Sequence, residues 1–198
     1  EIGIRSLDTA IDYGDSQEVL GRYFVSRKNK FEVLSKFKIS NDKSIEMQLL
    51  NTLKTLSLTN LCCFSHHQVT DVSLESLKQL LPLKERGMLK KIGVSVYSNE
   101  DFEKMIYVDE IDVIQLPFNL LDNWKLRGEL ISKAISRNKE IHIRSAFLQG
   151  LFFKKPTELG LKFSKLAQPL QKLTNLSHSL DITLPELALY YCLSFSEI

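Results

Sequence analysis

Asp8, Tyr13, Lys36 and the adjacent pair His66 and His67 are side chains of proton-handling types, and each falls where an apolar stretch gives way to a loop. Asp8 closes the first stretch, and Tyr13 follows five residues later in the turn. Lys36 closes the second stretch, and His66 and His67 close the third. Together they suit the reduction of a carbonyl by hydride, in which the oxygen becomes an alkoxide and needs a proton at that moment. Tyrosine can supply it if its pKa falls from about 10 towards neutrality. A lysine ammonium about 4 Å away contributes roughly 4 kcal/mol at an effective dielectric near 20, enough for a shift of that size. Asp8 would hold Lys36 charged and oriented, and a histidine would donate a hydrogen bond to the carbonyl oxygen as charge builds on it.

Each residue alone has a plainer reading. Asp8 can cap a turn, Tyr13 beside Gly14 can be a packed aromatic, and Lys36 can be a solvated strand end. A histidine that ends an apolar strand is commonly structural. The joint placement carries the weight: three consecutive strands deliver Asp, Tyr, Lys and His to one rim. In α/β barrels the carboxyl ends of the strands form the face on which active sites are built.

The elements that must position these residues alternate without exception. Strands are predicted over Ile2–Thr9, Phe31–Ser35, Leu61–Ser65, Ile92–Val96, Val113–Leu116 and Ile141–Ser145. Between them, helical spacing of apolar residues marks Ser16–Ser26, Lys43–Leu56, Leu74–Arg86, Glu100–Tyr107 with Asn99 as its N-cap, and Lys125–Asn138. A long helical region covers Gly160–Ser179, and a last helix runs over Pro185–Cys192, with proline in the first turn. Strands recur at the interval of one βαβ unit, which implies a parallel sheet covered by helices. Periodicity fits both an open doubly wound sheet and a (β/α)8 TIM barrel, and the polar strand ends favour the barrel. Six strands are too few to close one, since a barrel takes eight strands and typically about 250 residues.

Composition narrows the classes. The 198 residues are 43% hydrophobic and 25% charged with net charge +2, as expected for one soluble domain over 1–198. No basic block interleaves with aromatics, so nucleic acid is not an expected partner. No apolar run reaches the roughly 18 residues of a membrane span, and no signal peptide is evident. Three cysteines leave one unpaired, and neighbouring Cys62 and Cys63 point to opposite faces of a strand, so a reducing, cytoplasmic setting is expected. His66 and His67 diverge for the same reason, which argues against a metal site built on them.

Leu7-Asp8-Thr9-Ala10-Ile11-Asp12-Tyr13-Gly14 resembles the Asp-Thr-Ala-x-x-Tyr-Gly segment of the aldo-keto reductase superfamily, with the same Asp-to-Tyr interval. Lys36 in Leu34-Ser35-Lys36 matches the family's catalytic lysine, and His66 best matches its histidine, with His67 one residue away. Ser16-Gln17-Glu18-Val19-Leu20-Gly21 looks like the following helix, with Gln17 where an acidic residue is usual. Ile92-Gly93-Val94-Ser95 is similar to the family's Ile-Gly-Val-Ser strand, and Gln115 to the glutamine that, with that serine, holds the nicotinamide carboxamide. Arg144-Ser145-Ala146-Phe147-Leu148-Gln149-Gly150 resembles the segment that contacts the pyrophosphate, with Arg144 replacing an aromatic that often stacks on the nicotinamide.

The resemblance thus implies an oxidoreductase that reduces an aldehyde or ketone, a sugar-type carbonyl among them. Asp8, Tyr13, Lys36 and His66 would be catalytic. Ser95, Gln115, Arg144, Ser145, Phe147, Gln149 and Gly150 would bind NADP(H), with NAD(H) as the alternative cofactor. A small carbonyl compound is the expected partner. The Pro-Phe-Asn-Leu-Leu-Asp and Arg-Ser-x-Phe-Leu-Gln-Gly segments look like a bacterial branch. The resemblance also implies that one β/α unit precedes Glu1 and one follows Ile198. The alternative is a cofactor-binding regulatory protein of the same superfamily with little turnover.

Overall fold

Six parallel strands lie side by side in the order of the sequence, β1 (Ser6–Asp8), β2 (Glu32–Phe37), β3 (Leu61–His66), β4 (Leu89–Ser95), β5 (Val113–Pro117) and β6 (Glu140–Arg144). The sheet curls into a half-barrel with helices between successive strands, and β1 and β6 are its edges. The computed structural model describes residues 3–27, 31–196 and 198, without the Lys162 side chain. The helices are α1 (Ser16–Ser26), α2 (Ile45–Leu56), α3 (Leu74–Glu85), α4 (Asn99–Ile106), α5 (Trp124–Ser136), α6 (Ala167–Ser179) and α7 (Leu184–Leu193).

Alternation along each strand divides the side chains between two faces. Val33, Phe37, Phe64, Ile92, Val94, Ile114 and Leu116 face the helices and merge with Leu49, Leu53, Leu80, Phe102 and Ile131 into the main core. Leu34, Cys63 and Val113 form a small cluster on the opposite, concave face. The same alternation directs Asp8, Lys36, Ser65, Ser95 and Gln115 to the concave face, near the carboxyl ends. Register aligns them, pairing Asp8 with Leu34, Lys36 with Ser65 and Ser95 with Gln115.

Local chemistry sets the element ends, and several differ from the sequence reading. β1 is shorter than expected, and Ile2 lies outside the described residues. α2 starts at Ile45 because the Ser44 hydroxyl accepts from the Met47 amide. α4 is capped by Ser98, whose hydroxyl accepts from Asp101, and not by Asn99. Asn99 instead donates to the Leu126 carbonyl and accepts from Arg127. β4 begins at Leu89, so Lys90 and Lys91 are strand residues; Lys91 pairs with Glu140 of β6. The expected helical region from Gly160 splits into a 3-10 turn over Leu161–Leu166 and then α6. Pro169 has no N–H to bond to the carbonyl of Lys165, so one α-helix cannot run through.

The three cysteines are free and buried, as small core residues. No helix among the described residues is long and apolar enough to cross a membrane, and no group of three or more potential metal ligands is present among them.

α1 and α2 meet at Gly21, where an added Cβ would lie 2.0 Å from the Thr55 carbonyl oxygen. The opposing atom is backbone and cannot rotate away. Gly21→Ala should therefore lower stability by about 2 kcal/mol or more, in the range of overpacked cores. Urea denaturation with an unchanged m-value checks this, and an unshifted midpoint would show that the helices can separate at little cost.

Candidate active site

The site grows from one buried ammonium. Lys36 is 2% exposed, and its Nζ donates to the Asp8 carboxylate at 2.5 Å. It also reaches the Thr9 carbonyl at 3.4 Å. A buried charge survives only when paired and hydrogen-bonded, and the neighbouring strand β1 provides the partner. Across the concave face, Gln115 Nε2 donates to the same carboxylate at 3.3 Å. The other Gln115 amide atom, Oε1, is buried without a hydrogen-bond partner. Ser95, 3% exposed, is its register neighbour on β4.

Tyr13 stands over this pair, with Lys36 Nζ 5.4 Å from its ring centroid. Burial, then the Asp8 carboxylate, push the phenol above its ordinary pKa, while Arg144 pulls it down. The sequence-based expectation was the reverse, a phenol drawn towards neutrality by Lys36. Asp8 sits directly on Lys36, so the pair presents little net positive charge to the ring. The phenol consequently keeps its proton at neutral pH.

Neighbouring histidines take opposite directions. His66, the residue favoured by sequence, is completely buried on the helix-facing side. Its ring lies 4.8 Å from that of Phe37. Nδ1 meets the Gly93 carbonyl at 3.3 Å and Nε2 meets the Ser76 hydroxyl of α3 at 2.9 Å. A carbonyl only accepts, so the neutral ring carries its proton on Nδ1, and the one Ser76 hydroxyl proton is shared between Nε2 and the Ser73 carbonyl, each 2.9 Å away. This ring is turned away from Asp8, Lys36 and Tyr13.

His67, one residue past β3, turns to the rim, edge-on to Tyr13 with centroids 6.0 Å apart. Its Nδ1 lies 3.7 Å from Asp12 Oδ2 and has no hydrogen-bond partner. Burial and the Lys38 ammonium depress its pKa, against the pull of Asp12. Period-two alternation makes the choice between the two histidines: Phe64 and His66 share the helix-facing side, and the next residue must reverse.

At the far side of the rim, the Arg144 guanidinium lies over the Tyr97 ring, 4.1 Å from its centroid. It makes long hydrogen bonds of 3.4 Å to the Val96 carbonyl and the Ser145 hydroxyl. Arg144 lines a cavity of about 390 Å³ together with Asp8 and Gln115. Ser145 and Gln149 adopt left-handed backbone, at φ 62° and 52°, ahead of Gly150. Phe147 packs towards a second core of Phe152, Leu170, Leu184 and Ala188. Phe147, Gln149 and Gly150 thus belong to a tight turn beside the cavity and not to the Asp8–Lys36–Gln115 hydrogen-bonded group.

Sequence reasoning passed over the supports of this rim. Arg127 of α5 donates to both Asp122 oxygens at 2.7 and 2.8 Å, to Asn99 and to the Tyr97 carbonyl. Asn119, fully buried, accepts from the Leu121 and Asp122 amides and donates to the Ser145 carbonyl. The Pro-Phe-Asn-Leu-Leu-Asp segment contains both Asn119 and Asp122, but the resemblance gave neither a role.

Comparison with known proteins gives a consistent picture. The family model described as the aldo/keto reductase family matches residues 1–197. Methylglyoxal reductase DkgA of Escherichia coli K12 is 29% identical over 111 residues, which are 54% of this chain and 40% of that protein. Among solved structures, aldo-keto reductase AKR11C1 from Bacillus halodurans superposes with a TM-score of 0.78 at 20% identity, over 97% of this chain and 69% of that one. Glycerol dehydrogenase AKR11B4 from Gluconobacter oxydans gives 0.74 at 20% identity, over 99% and 70%. An aldo-keto reductase from Klebsiella pneumoniae in complex with NADPH gives 0.70 at 18% identity, over 93% and 64%. This chain therefore spans only part of the length of each relative.

The two histidines make separable predictions, and that for His66 concerns stability. Burial lowers its pKa from 6.5 to about 4 in the folded chain. Between those values the unfolded chain binds the additional proton, so stability is intact above about pH 6.5 and falls as pH drops towards 4. The loss should approach roughly 3 kcal/mol. His66→Gln should flatten this acid dependence in urea unfolding between pH 7 and 4.5; an unchanged slope would assign the dependence to other groups.

Proposed function

The chain belongs to the aldo/keto reductase family, and on that premise we propose that it reduces an aldehyde or ketone with NADPH, using Tyr13 as the general acid. The observation that carries this reading is the buried Lys36 ammonium, fixed by Asp8 beneath the Tyr13 ring.

The residues present suit a nicotinamide. Gln115 Oε1 is a buried acceptor without a donor, which a carboxamide N–H would satisfy, and an unmet buried acceptor costs about 1–3 kcal/mol. Ser95 adjoins it, and the resemblance assigns Ser145, Phe147, Gln149 and Gly150 to the phosphates. When bound, the reduced cofactor supplies the hydride.

Tyr13 donates its phenolic proton to the carbonyl oxygen as that oxygen becomes an alkoxide. A phenol whose pKa is raised holds its proton until a stronger base appears. The positive charge that favours the tyrosinate that results is that of Arg144, which acts against burial and Asp8. Asp8 positions Lys36, and Gln115 ties Asp8 across the face. His67, in place of His66, orients the carbonyl: it is the ring at the rim, and its low pKa keeps it neutral. Its unpartnered Nδ1 leaves hydrogen-bonding capacity for a ligand.

Fluorescence of Trp124 and of the cofactor during titration with NADPH tests the first half, and saturation at micromolar levels is expected. A carbonyl panel tests the second half. Tyr13→Phe should lose turnover by about 10²–10⁴-fold, the usual contribution of a general acid, while still binding NADPH. His67→Gln should lower kcat/KM, with His66→Gln close to wild type. Intact turnover in Tyr13→Phe would remove the proton-donor role. Cofactor binding without turnover on any carbonyl would favour a regulatory protein.

A further inference from the structure

Three cations at the rim are neutralised in their own neighbourhoods, whereas Arg144 has no carboxylate partner among the described residues. Lys36 is paired with Asp8, Lys38 with Asp12 and Arg127 with Asp122. None of the ion pairs among the described residues takes in Arg144. A guanidinium has five N–H donors, and here two make contacts of 3.4 Å, to Val96 and Ser145.

We propose that Arg144 is a carboxylate-binding residue, and that the carbonyl substrates of this site also carry a carboxylate, as 2-oxo acids and aldehyde acids do. This rests on the reduction proposed above. Four features of position support it. Arg144 ends β6 and is the register partner of Pro117, so alternation directs it to the concave face. It shares a cavity of about 390 Å³ with Asp8 and Gln115, a volume suited to a small ligand. Its charge is felt at the Tyr13 phenol, where it opposes Asp8. It is also held in advance of binding: the Tyr97 ring beneath it belongs to a residue whose carbonyl is fixed by Arg127 at 2.8 Å. A planar fork held over an aromatic loses little freedom when it takes an anion, and its geometry matches a carboxylate with two parallel hydrogen bonds.

The competing ligand for the same charge is a phosphate of the cofactor. Binding measurements separate the two. The purified protein, wild type and Arg144→Met and Arg144→Lys, is titrated calorimetrically with oxamate, a 2-oxo acid mimic that cannot be reduced at carbon. Titrations are run with and without saturating NADPH, and NADPH is titrated separately. In parallel, kcat/KM for glyoxylate is divided by that for acetaldehyde, which replaces the carboxylate with a methyl group.

Oxamate affinity should fall about tenfold or more in Arg144→Met, as expected for a lost charge-assisted hydrogen bond, with part retained in Arg144→Lys. The glyoxylate-to-acetaldehyde ratio should fall by a similar factor, through KM. Oxamate dependence on Arg144 in a protein that reduces no carbonyl would support the anion site and remove the reductase reading. Failure of the wild type to bind oxamate, or equal binding by Arg144→Met, would overturn the proposal. So would a loss confined to NADPH affinity, which would place Arg144 on the cofactor.

Discussion

The Lys36–Asp8 pair is the constraint on which the rest of the rim depends. An ammonium in the concave face of a sheet cannot stay charged without a partner. Removing Asp8 would leave the Lys36 ammonium buried without its carboxylate, at a cost below the roughly 3–5 kcal/mol of a fully buried pair because the Asp8 side chain is 38% exposed. The pair therefore demands that β1 and β2 meet in one register, with Asp8 level with Leu34 and a step short of Lys36. Slippage by one residue would turn Lys36 into the helix-facing core, where Phe37 and Phe64 now stack at 4.6 Å. The apolar core on one face and the ion pair on the other thus enforce the same alignment.

From that anchor the charges at the rim divide into spent and available. Asp8 and Lys36 largely cancel, which is why the Tyr13 phenol responds to burial and to Asp8 more than to the ammonium beneath it. The phenol is therefore protonated in the resting state at neutral pH. Arg144 supplies positive charge that no carboxylate among the described residues cancels. Gln115 is half-satisfied, with one amide atom on Asp8 and the other unmet.

Support for these groups comes from outside the concave face. Arg127 spends its guanidinium on Asp122, Asn99 and the Tyr97 carbonyl, stitching α5, α4 and the end of β4 together. Asn119 does the same for the ends of β5 and β6, through the Ser145 carbonyl. These contacts give the loops at the carboxyl ends fixed positions, the condition for holding side chains in productive geometry.

The sequence by itself determined the alternation of strands and helices, the helix-facing core, the polar carboxyl ends and the family motifs. These are local signals: apolar period, caps and short spaced patterns survive without knowledge of what lies across the sheet. Helix starts missed by one or two residues at α2 and α4, where a serine caps the helix, and by seven at α6, where Pro169 interrupts the apolar pattern. The tertiary structure alone decided which of His66 and His67 faces the rim, because a one-residue difference is a change of face, and the face is set by pairing of β3 with β2 and β4. It alone reversed the expected pull on Tyr13, because the field at a phenol is a sum over neighbours from three strands. It alone showed Arg144 unpaired and propped on Tyr97, a contact between residues 47 positions apart in the chain, which no local pattern records.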